Sequence, residues 1–361
     1  MPQRIALIGY GRSGRDIHRA TLDHMKDHYI ITAGVELDAD RRAMMTQEIG
    51  CPVYAHFTEL YARNDIDLVV NASYSHMHIP ITQALLEHGF HVLSEKPAAR
   101  TAEEVQALIN TAEKHNRTYA IFQQSRYAPY FQQVKQVIDS GVLGDIMQIN
   151  IAFNGYARRW DWQCLQAMNG GSLYNTGPHP MDQALRLLNI EGMPQVTARL
   201  SRANTYGDAE DYVKVLLSAP DRPIIDLEIS SCCAYDTPTY QVQGTRGGLR
   251  GTMQHIDWRF YDEATAPHQA LQVASLHGEG HIPLYCGEKL GWHEHSWDIP
   301  ETQKDMFQYM TLTYYHMLYR HLTQGTPLEI TPQQVKQQIA VMEECHRQSP
   351  LSRMDVVVPE V

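Results

Sequence analysis

The segment Arg4-Ile5-Ala6-Leu7-Ile8-Gly9-Tyr10-Gly11-Arg12-Ser13-Gly14 decides how this chain folds. Its apolar start predicts a buried strand, and residues 14–28 have helical spacing. Between them lies the pattern GxGxxG, in which Gly9 permits a tight turn, Gly11 lets the main chain approach a pyrophosphate, and Gly14 lets the helix pack on the strand. The N-terminus of that helix then faces the phosphate charge. We therefore predict a dinucleotide site formed by Gly9, Tyr10, Gly11, Arg12, Ser13 and Gly14.

Short β-rich runs alternate with longer helical segments from this point to about residue 122. Such alternation is typical of a parallel sheet covered by helices. It predicts a doubly wound α/β Rossmann domain over residues 1–124, which binds the dinucleotide. The predicted strands are residues 5–8, 30–35, 68–72, 91–94 and 118–122, and the predicted helices are residues 14–28, 40–50, 78–89 and 102–116.

Beyond about residue 145 the sequence alternates apolar and polar residues, which indicates neighbouring strands of a largely antiparallel sheet. Residues 125–361 are therefore predicted to form a second, α+β domain. Its strands are expected at 147–153, 196–201, 212–218, 224–230 and 240–243, and its helices at 130–140, 307–323 and 332–345. Residues 262–300 are rich in His, Gly and Trp and show no sustained periodicity.

The composition excludes several classes of protein. Hydrophobic residues make up 43% of the chain and charged residues 20%, as in globular proteins. The net charge of -11 disfavours nucleic acid and anionic membranes as partners. No signal peptide is recognisable, and no apolar run approaches the roughly 18 residues of a spanning helix. The 6 cysteines form neither a CxxC pair nor a disulfide framework. We expect a soluble, cytoplasmic protein with reduced, buried thiols.

Glu36 stands at the end of the second predicted strand. A carboxylate there accepts hydrogen bonds from the adenosine ribose and repels a 2′-phosphate, which favours NAD over NADP. Arg41 and Arg42 follow closely enough to pair with such a phosphate, so NADP stays the alternative.

The tripeptide Glu95-Lys96-Pro97 follows the strand predicted at residues 91–94, at the edge where open α/β sheets place their ligands. Pro97 keeps Lys96 away from helical angles. Burial and the charge of an oxidised nicotinamide would both lower the pKa of Lys96 toward neutrality, so that it could act as an acid or a base. The alternative is a lysine on a surface loop.

Further stretches accompany this tripeptide: residues 84–94 before it, Asn71-Ala72-Ser73 with His78, Arg126, Gly141-Val142-Leu143-Gly144, and residues 170–182 with His179. From residue 4 to about 190 the chain thus resembles the glucose-fructose oxidoreductase, inositol dehydrogenase and rhizopine-catabolism (Gfo/Idh/MocA) family. The resemblance implies an open, mostly antiparallel second sheet and a homodimer or homotetramer built on it. It also implies Lys96 near the nicotinamide, His179 as the catalytic histidine, Ser73, His78 and Glu95 at the cofactor, and Arg126 at the substrate.

Asn175 departs from the resembled family, which usually has aspartate there. Pro178 and Pro180 fit only a first helical turn, so a helix should begin near Gly177 with Asn175 just before it. We predict that Asn175 and His179 share the catalytic site. Since an amide carries no net charge, His179 should be mostly neutral near pH 7, with its pKa near the usual value of about 6.5. The alternative for His179 is a purely structural role.

Residues 156–163 combine aromatic and hydrogen-bonding side chains. An indole stacks on the apolar face of a sugar, while the hydroxyls need fixed polar partners. Arg158, Trp160 and Trp162 are therefore predicted to bind substrate together with Arg126, Asn175 and His179. Arg158 or Arg159 could hold an acidic sugar. A subunit interface is the alternative for this cluster.

No metal site is predicted. His277 with His281, and His293-Glu294-His295, match no strong metal-ligand spacing.

These features predict an NAD-dependent oxidoreductase that moves a hydride between the cofactor and a hydroxyl or carbonyl of a sugar, polyol or glycoside. Lys96 or His179 would transfer the hydroxyl proton. One alternative is a glycosidase that uses transient oxidation, elimination and a tightly held NAD. Another is a non-catalytic dinucleotide sensor that binds a regulatory protein, against which the presence of Lys96 and His179 argues.

Overall fold

The computed structural model describes residues 2–358. Six parallel strands form the first sheet in the order β3-β2-β1-β4-β5-β6, where the strands are β1 (Gln3–Ile8), β2 (Tyr29–Val35), β3 (Val53–Tyr54), β4 (Leu68–Asn71), β5 (His91–Ser94) and β6 (Tyr119–Ile121). The order reverses between β1 and β4, where a doubly wound sheet opens a crevice at the carboxyl ends of its strands. The predicted Rossmann fold is confirmed, although the two-residue β3 was not predicted.

Helices cover this sheet at α1 (Ala20–Asp23), α2 (Ala39–Ile49), α3 (His78–Glu87) and α4 (Ala102–Lys114). A π-helical segment, Ser13–Arg19, precedes α1, so the first helix ends at Asp23 rather than at residue 28. The side chains of Asp38 and Thr101 accept hydrogen bonds from main-chain N–H groups at the starts of α2 and α4, which supplies partners that the helix itself lacks there.

Eight strands form the second sheet, ordered β14-β13-β12-β11-β7-β10-β9-β8. They are β7 (Ile146–Asn154), β8 (Gln195–Ser201), β9 (Tyr212–Ser218), β10 (Ile224–Ser230), β11 (Tyr240–Gly244), β12 (Gly247–Gly251), β13 (His255–Tyr261) and β14 (Trp292–Asp298). Among the strand pairs of this sheet within residues 2–358, only β7 and β10 are parallel, so the predicted open, mostly antiparallel sheet is confirmed.

The sequence did not indicate three of these strands, β12 to β14. Three of the five residues of β12 are glycine, which disfavours strands, and β14 is an edge strand whose residues are mostly exposed and therefore do not alternate.

The remaining helices are α5 (Pro129–Asp139), α6 (Ser172–Asn175), α7 (Pro178–Leu188), α8 (Met306–Gln324) and α9 (Pro332–Gln348). The last two return to the first sheet and its helices. Tyr314 on α8 donates a hydrogen bond to the carbonyl of Ile121 at 2.7 Å, and Lys336 on α9 donates one to Gln106 on α4 at 2.6 Å. The boundary near residue 124 stays a prediction, but residues beyond it complete the core around the first sheet.

Short 3-10 segments lie at Phe57–Ala62, Ser75–Met77, Gln124–Tyr127, Trp162–Cys164, Gln166–Met168, Glu279–His281 and Glu301–Gln303. All six cysteines are free, and Cys232 and Cys286 are exposed, which corrects the expectation that the thiols are buried. No helix within residues 2–358 combines the length and the apolar character needed to cross a membrane.

Candidate active site

One cleft of about 840 Å³ connects the glycine loop with the start of α7. It begins at the carboxyl ends of β1, β2, β4 and β5, and α6 and α7 form its far side. Gly11, Glu36, Lys96 and His179 all line it. The fold therefore brings the predicted cofactor and catalytic residues to one place.

Each of the three glycines in the loop is required for a different structural reason. Gly9 has a φ of +86°, and a Cβ there would lie 2.4 Å from the carbonyl oxygen of Ala72. At Gly14 a Cβ would lie 1.9 Å from the carbonyl oxygen of Gly9, so only glycine lets the helix approach the strand. A Cβ at Gly11 would have nothing within 4 Å, although Gly11 lines the cleft. Bare main chain thus faces an open space there, which fits a pyrophosphate.

Tyr10 and Gly14 do not reach the cleft. The Tyr10 side chain is buried in the core, and its hydroxyl donates to Glu48 Oε2 at 2.6 Å. Only the Tyr10 main-chain N–H points toward the site, where it donates to the Glu36 carboxylate. The side chain of Tyr10 therefore has a structural role, Gly14 lets the helix pack on the strand, and contact of either residue with the cofactor stays a prediction.

Glu36 is buried at the end of β2 and lines the cleft. Its carboxylate accepts hydrogen bonds from the N–H groups of Tyr10 at 2.7 Å and Asp38 at 2.9 Å. The Arg41 guanidinium lies 3.4 Å from the same carboxylate and also lines the cleft. A negative and a positive group thus flank the place predicted for the adenosine ribose.

Ser73 and His78 line the cleft, but their polar atoms are engaged. The Ser73 hydroxyl donates to Asn71 Oδ1 at 2.7 Å. The imidazole nitrogens of His78 lie 2.8 Å from the carbonyl oxygen of Pro97 and 3.2 Å from that of Ser73. Burial lowers the pKa of His78. His78 thus joins the loops after β4 and β5, and Ser73 holds the first of these loops against the end of β4.

Glu95 is the centre of a buried network. Its Oε1 accepts hydrogen bonds from the Ser13 hydroxyl and from His18 Nε2, the latter at 3.1 Å, and its Oε2 accepts one from the Lys96 N–H at 3.0 Å. Burial would raise the pKa of Glu95, but the hydrogen bond from His18 and the neighbouring charges outweigh it and lower this pKa to about 2. His18 is absent from the residues predicted above. Its position one helical turn after Gly14 is the signal that could have indicated it.

Lys96 extends from β5 toward α6, where its Nζ donates to the carbonyl oxygen of Asn175 at 2.9 Å. Burial lowers the pKa of Lys96, the charges of Arg12 and Arg159 lower it further, and the Glu95 carboxylate opposes them. A fraction of Lys96 therefore becomes neutral at a lower pH than for an exposed lysine, as an acid-base group requires.

His179 lies in the first turn of α7, which begins at Pro178 as the prolines predict. Burial and then the charge of Lys96 lower its pKa to about 3, well below the value expected from the sequence. The imidazole is therefore neutral near pH 7. Its Nδ1 is buried and finds no hydrogen-bond partner within residues 2–358. Asn175 ends α6 and lines the same cleft, but no hydrogen bond in that part of the chain joins its side chain to His179.

Of the aromatic cluster, only part faces the cleft. Trp162 and Arg159 line it, and Arg159 pairs with Asp161 at 2.6 Å. Trp160 is 78% exposed and lies outside the cleft. Arg158 also lies outside it, with its guanidinium 4.9 Å from the centre of the Tyr206 ring. Substrate contact by Trp160 and Arg158 therefore stays a prediction that this arrangement of the cleft does not favour.

Arg126 does not line the cleft, and its predicted contact with substrate stays a prediction. Its guanidinium forms a two-bond ion pair with Asp182 on α7, with Nε 2.9 Å from Oδ2. Asp182 is 1% exposed, so this arginine is needed to compensate a buried carboxylate.

The histidine clusters do not line this cleft. His293 and His295 on β14 stack on Phe260 of β13, and the rings of His277 and His281 are 6.0 Å apart in an exposed segment. Within the described chain, no group of three His, Cys, Asp or Glu side chains could hold a metal ion.

Comparison with known proteins identifies the family. The model of the "Oxidoreductase family, NAD-binding Rossmann fold" matches residues 3–123, and that of the "GFO/IDH/MocA C-terminal domain" matches residues 131–250. An uncharacterised oxidoreductase of Schizosaccharomyces pombe is 30% identical over 266 residues, which cover 69% of this chain and 70% of the relative. The chain belongs to the Gfo/Idh/MocA oxidoreductase family. The predictions of family, fold class and oxidoreductase activity are thereby confirmed.

Other Gfo/Idh/MocA relatives have assigned names. The scyllo-inositol 2-dehydrogenase (NADP(+)) IolW of Bacillus subtilis is 28% identical over 245 residues, 67% of this chain and 66% of the relative. The 2,7-anhydro-N-acetylneuraminate hydratase of Mediterraneibacter gnavus is 25% identical over 296 residues, 79% of this chain and 76% of the relative. The solved WlbA dehydrogenase of Bordetella pertussis, in complex with NADH and UDP-GlcNAcA, has a TM-score of 0.76 at 17% identity and covers 98% of this chain and 99% of its own. That likeness shows the shared fold.

Proposed function

We propose that this chain transfers a hydride between a nicotinamide dinucleotide, preferably NAD, and a hydroxyl or carbonyl carbon of a sugar, polyol or glycoside. One observation carries the proposal: the cleft that begins at Gly11 and Glu36 continues without interruption to Lys96 and His179. The names of IolW and of the WlbA complex support the substrate class, since they specify an inositol and a nucleotide sugar.

The cofactor would lie along the first sheet. Gly9, Gly11, Arg12 and Ser13 would hold its pyrophosphate, and Glu36 would accept hydrogen bonds from the adenosine ribose. When bound, the dinucleotide supplies the hydride acceptor or donor. Arg41, 3.4 Å from Glu36, is the group that could admit NADP.

Lys96 is the better proton acceptor of the two catalytic candidates. In oxidation, the hydroxyl proton passes to neutral Lys96 Nζ while the carbon-bound hydrogen leaves as a hydride and the carbonyl forms. An imidazole whose pKa is about 3 is too weak a base to take that proton efficiently. His179 instead offers a neutral ring nitrogen that can fix the reacting hydroxyl by a hydrogen bond. The main-chain carbonyl of Asn175 accepts a hydrogen bond from Lys96 Nζ and so orients the lysine.

Substrate would contact the far side of the cleft. Trp162 packs edge-on against Tyr74 with ring centres 5.1 Å apart, so an indole held between the two halves of the chain is available to a sugar face. Arg159 would meet an acidic group on the substrate, in competition with Asp161.

We also propose a homodimer or homotetramer through the outer face of the second sheet. Leu216 on β9 and Ile224 on β10 point away from the core and are 40% and 48% exposed. Sedimentation of the wild type and of Leu216→Lys should show an oligomer that the substitution weakens, whereas a monomeric wild type would contradict this assembly.

A screen of sugars, inositols and glycosides with NAD and with NADP tests the activity, with the absorbance of the reduced cofactor as readout. We expect turnover with at least one compound and its loss in Lys96→Met. A protein that binds neither dinucleotide would refute the proposed function.

A second candidate is hydrolysis or hydration of a glycoside through transient oxidation and re-reduction. The name of the hydratase relative favours it, and Lys96 in the cleft could take a proton in the oxidation and return it in the reduction. Release of the aglycone without net NADH would support this second reaction, and steady formation of NADH would exclude it.

A further inference from the structure

Three buried polar side chains form a continuous hydrogen-bond network beside the cleft. The Tyr315 hydroxyl lies 2.7 Å from His18 Nδ1, and His18 Nε2 lies 3.1 Å from Glu95 Oε1. Tyr315 and His18 are 0% exposed and Glu95 is 5% exposed. The three residues come from α8, from the helix after the glycine loop and from the loop after β5, so only the tertiary fold joins them.

The chemistry of the three side chains determines which of them donates each hydrogen bond. A carboxylate only accepts, so His18 Nε2 must donate to Glu95. Nδ1 accepts from the Tyr315 hydroxyl when the imidazole is neutral and donates to it when the imidazole is protonated, so the two groups are hydrogen-bonded in either state. The ring of Phe122, with its centre 4.6 Å from that of His18, helps to close the site from water. Loss of any one of these side chains would leave a buried polar group without a hydrogen-bond partner, which lowers the stability of the folded protein.

Glu95 connects these hydrogen-bonded side chains to the cofactor site. Its carboxylate also accepts hydrogen bonds from the Ser13 hydroxyl in the glycine loop and from the Lys96 N–H. One carboxylate thus holds both the loop predicted for the pyrophosphate and the main chain of the catalytic lysine. Phe307, in the first turn of α8, lines the same cleft, so the helix that carries Tyr315 has one end at the site.

We propose that Tyr315 and His18 are positioning residues of the dinucleotide site, which act by fixing the Glu95 carboxylate against the glycine loop and Lys96. The inference rests on the proposed function. Neither residue belongs to the GxGxxG pattern or to the Glu-Lys-Pro tripeptide, and neither touches the cleft in this structure.

Tyr315→Phe tests this role against a matched control, Tyr314→Phe. Tyr314 is the preceding residue on α8, is equally buried, and donates a hydrogen bond from its hydroxyl to the carbonyl of Ile121 rather than to the network. Each substitution removes one buried hydroxyl, so the two should lower Tm similarly. We expect the Kd for NADH, from fluorescence titration, to rise about fivefold or more in Tyr315→Phe and less than about twofold in Tyr314→Phe.

A second pair of variants tests the imidazole. His18→Leu removes the donor to Glu95 and should weaken NADH binding more than Tyr315→Phe does. The amide of His18→Gln can still donate to the carboxylate and should restore part of the affinity. If His18→Leu does not fold, Tyr315→Phe with its control decides.

Amide hydrogen exchange of residues 9–14 in the cofactor-free protein gives a readout independent of turnover. Exchange should be faster in Tyr315→Phe and unchanged in Tyr314→Phe. Unchanged NADH affinity and exchange in a folded Tyr315→Phe, or equal changes in both variants, would overturn the positioning role. A wild type that binds no dinucleotide would instead refute the proposed function, and the exchange comparison would still decide whether the network orders the loop.

Discussion

Replacement of Lys96 by methionine should remove the acidic limb from the pH dependence of kcat/KM for the oxidative reaction. Methionine keeps the length and much of the volume of the side chain but cannot accept a proton. Because a base must be neutral to act, kcat/KM of the wild type should fall as the pH drops below the pKa of Lys96. Loss of general base catalysis should also lower kcat by about 10²-fold or more.

The structure indicates which residue titrates in this acidic limb. With a pKa of about 3, only about one part in 10⁴ of His179 is charged at pH 7. His179 therefore does not titrate above about pH 5, whereas burial lowers the pKa of Lys96 toward the measured range. Asn175→Asp would add a carboxylate to the cleft that Lys96 also lines, and the attraction between the two charges should raise the pKa of Lys96 and move the limb upward by about one unit.

The assay is a profile of kcat/KM against pH, from about pH 5 to 10, for wild type, Lys96→Met, Asn175→Asp and His179→Ala. Lys135→Met is the control, since Lys135 lies on α5 and pairs with Asp139 far from the cleft. The limb should persist in the control and in His179→Ala. Its disappearance in His179→Ala, or its persistence in Lys96→Met, would show that the lysine is not the base.

Three further outcomes are expected. Glu36→Ala should lower the ratio of kcat/KM for NAD to that for NADP by about fivefold or more, because it removes a carboxylate that repels the 2′-phosphate of NADP. An unchanged ratio would mean that another residue discriminates between the two riboses. Arg126→Met should cost about 3–5 kcal/mol in urea unfolding, since it leaves Asp182 buried without a partner, and a selective rise in KM with unchanged stability would place Arg126 at the substrate site. Gly11→Ala should weaken NADH binding at unchanged Tm, whereas Gly14→Ala should lower Tm because its Cβ would meet main chain at 1.9 Å; equal Tm losses would contradict this division.

The first sheet could be predicted closely because parallel strands are short, apolar and separated by helices with clear end signals. The strand predicted at residues 91–94 matches β5 from His91 to Ser94. The far edge of the second sheet could not be predicted, because β12 is rich in glycine and β14 is exposed. Neither strand carries the alternation that burial of one face imposes.

The candidate site, too, could be predicted from the sequence only in part. Motif spacing indicated the glycine loop and Lys96, since each is tied to a local turn or a strand end, and the family resemblance indicated His179. Arg126 and Trp160 also stood near such motifs, but a motif does not specify which way a side chain points. His18 and Tyr315 carry no motif of their own, and only their packing reveals them.

By itself, the sequence determined the dinucleotide fold, because glycine spacing and hydrophobic periodicity act over a few residues and can be read locally. The tertiary structure alone decided the electrostatics of the site. The low pKa of His179 comes from burial beneath residues distant in sequence, and the order of Glu95 comes from a helix more than 200 positions later in the chain. Desolvation and hydrogen bonding depend on what surrounds a group in space, and that is fixed only when the whole chain has folded.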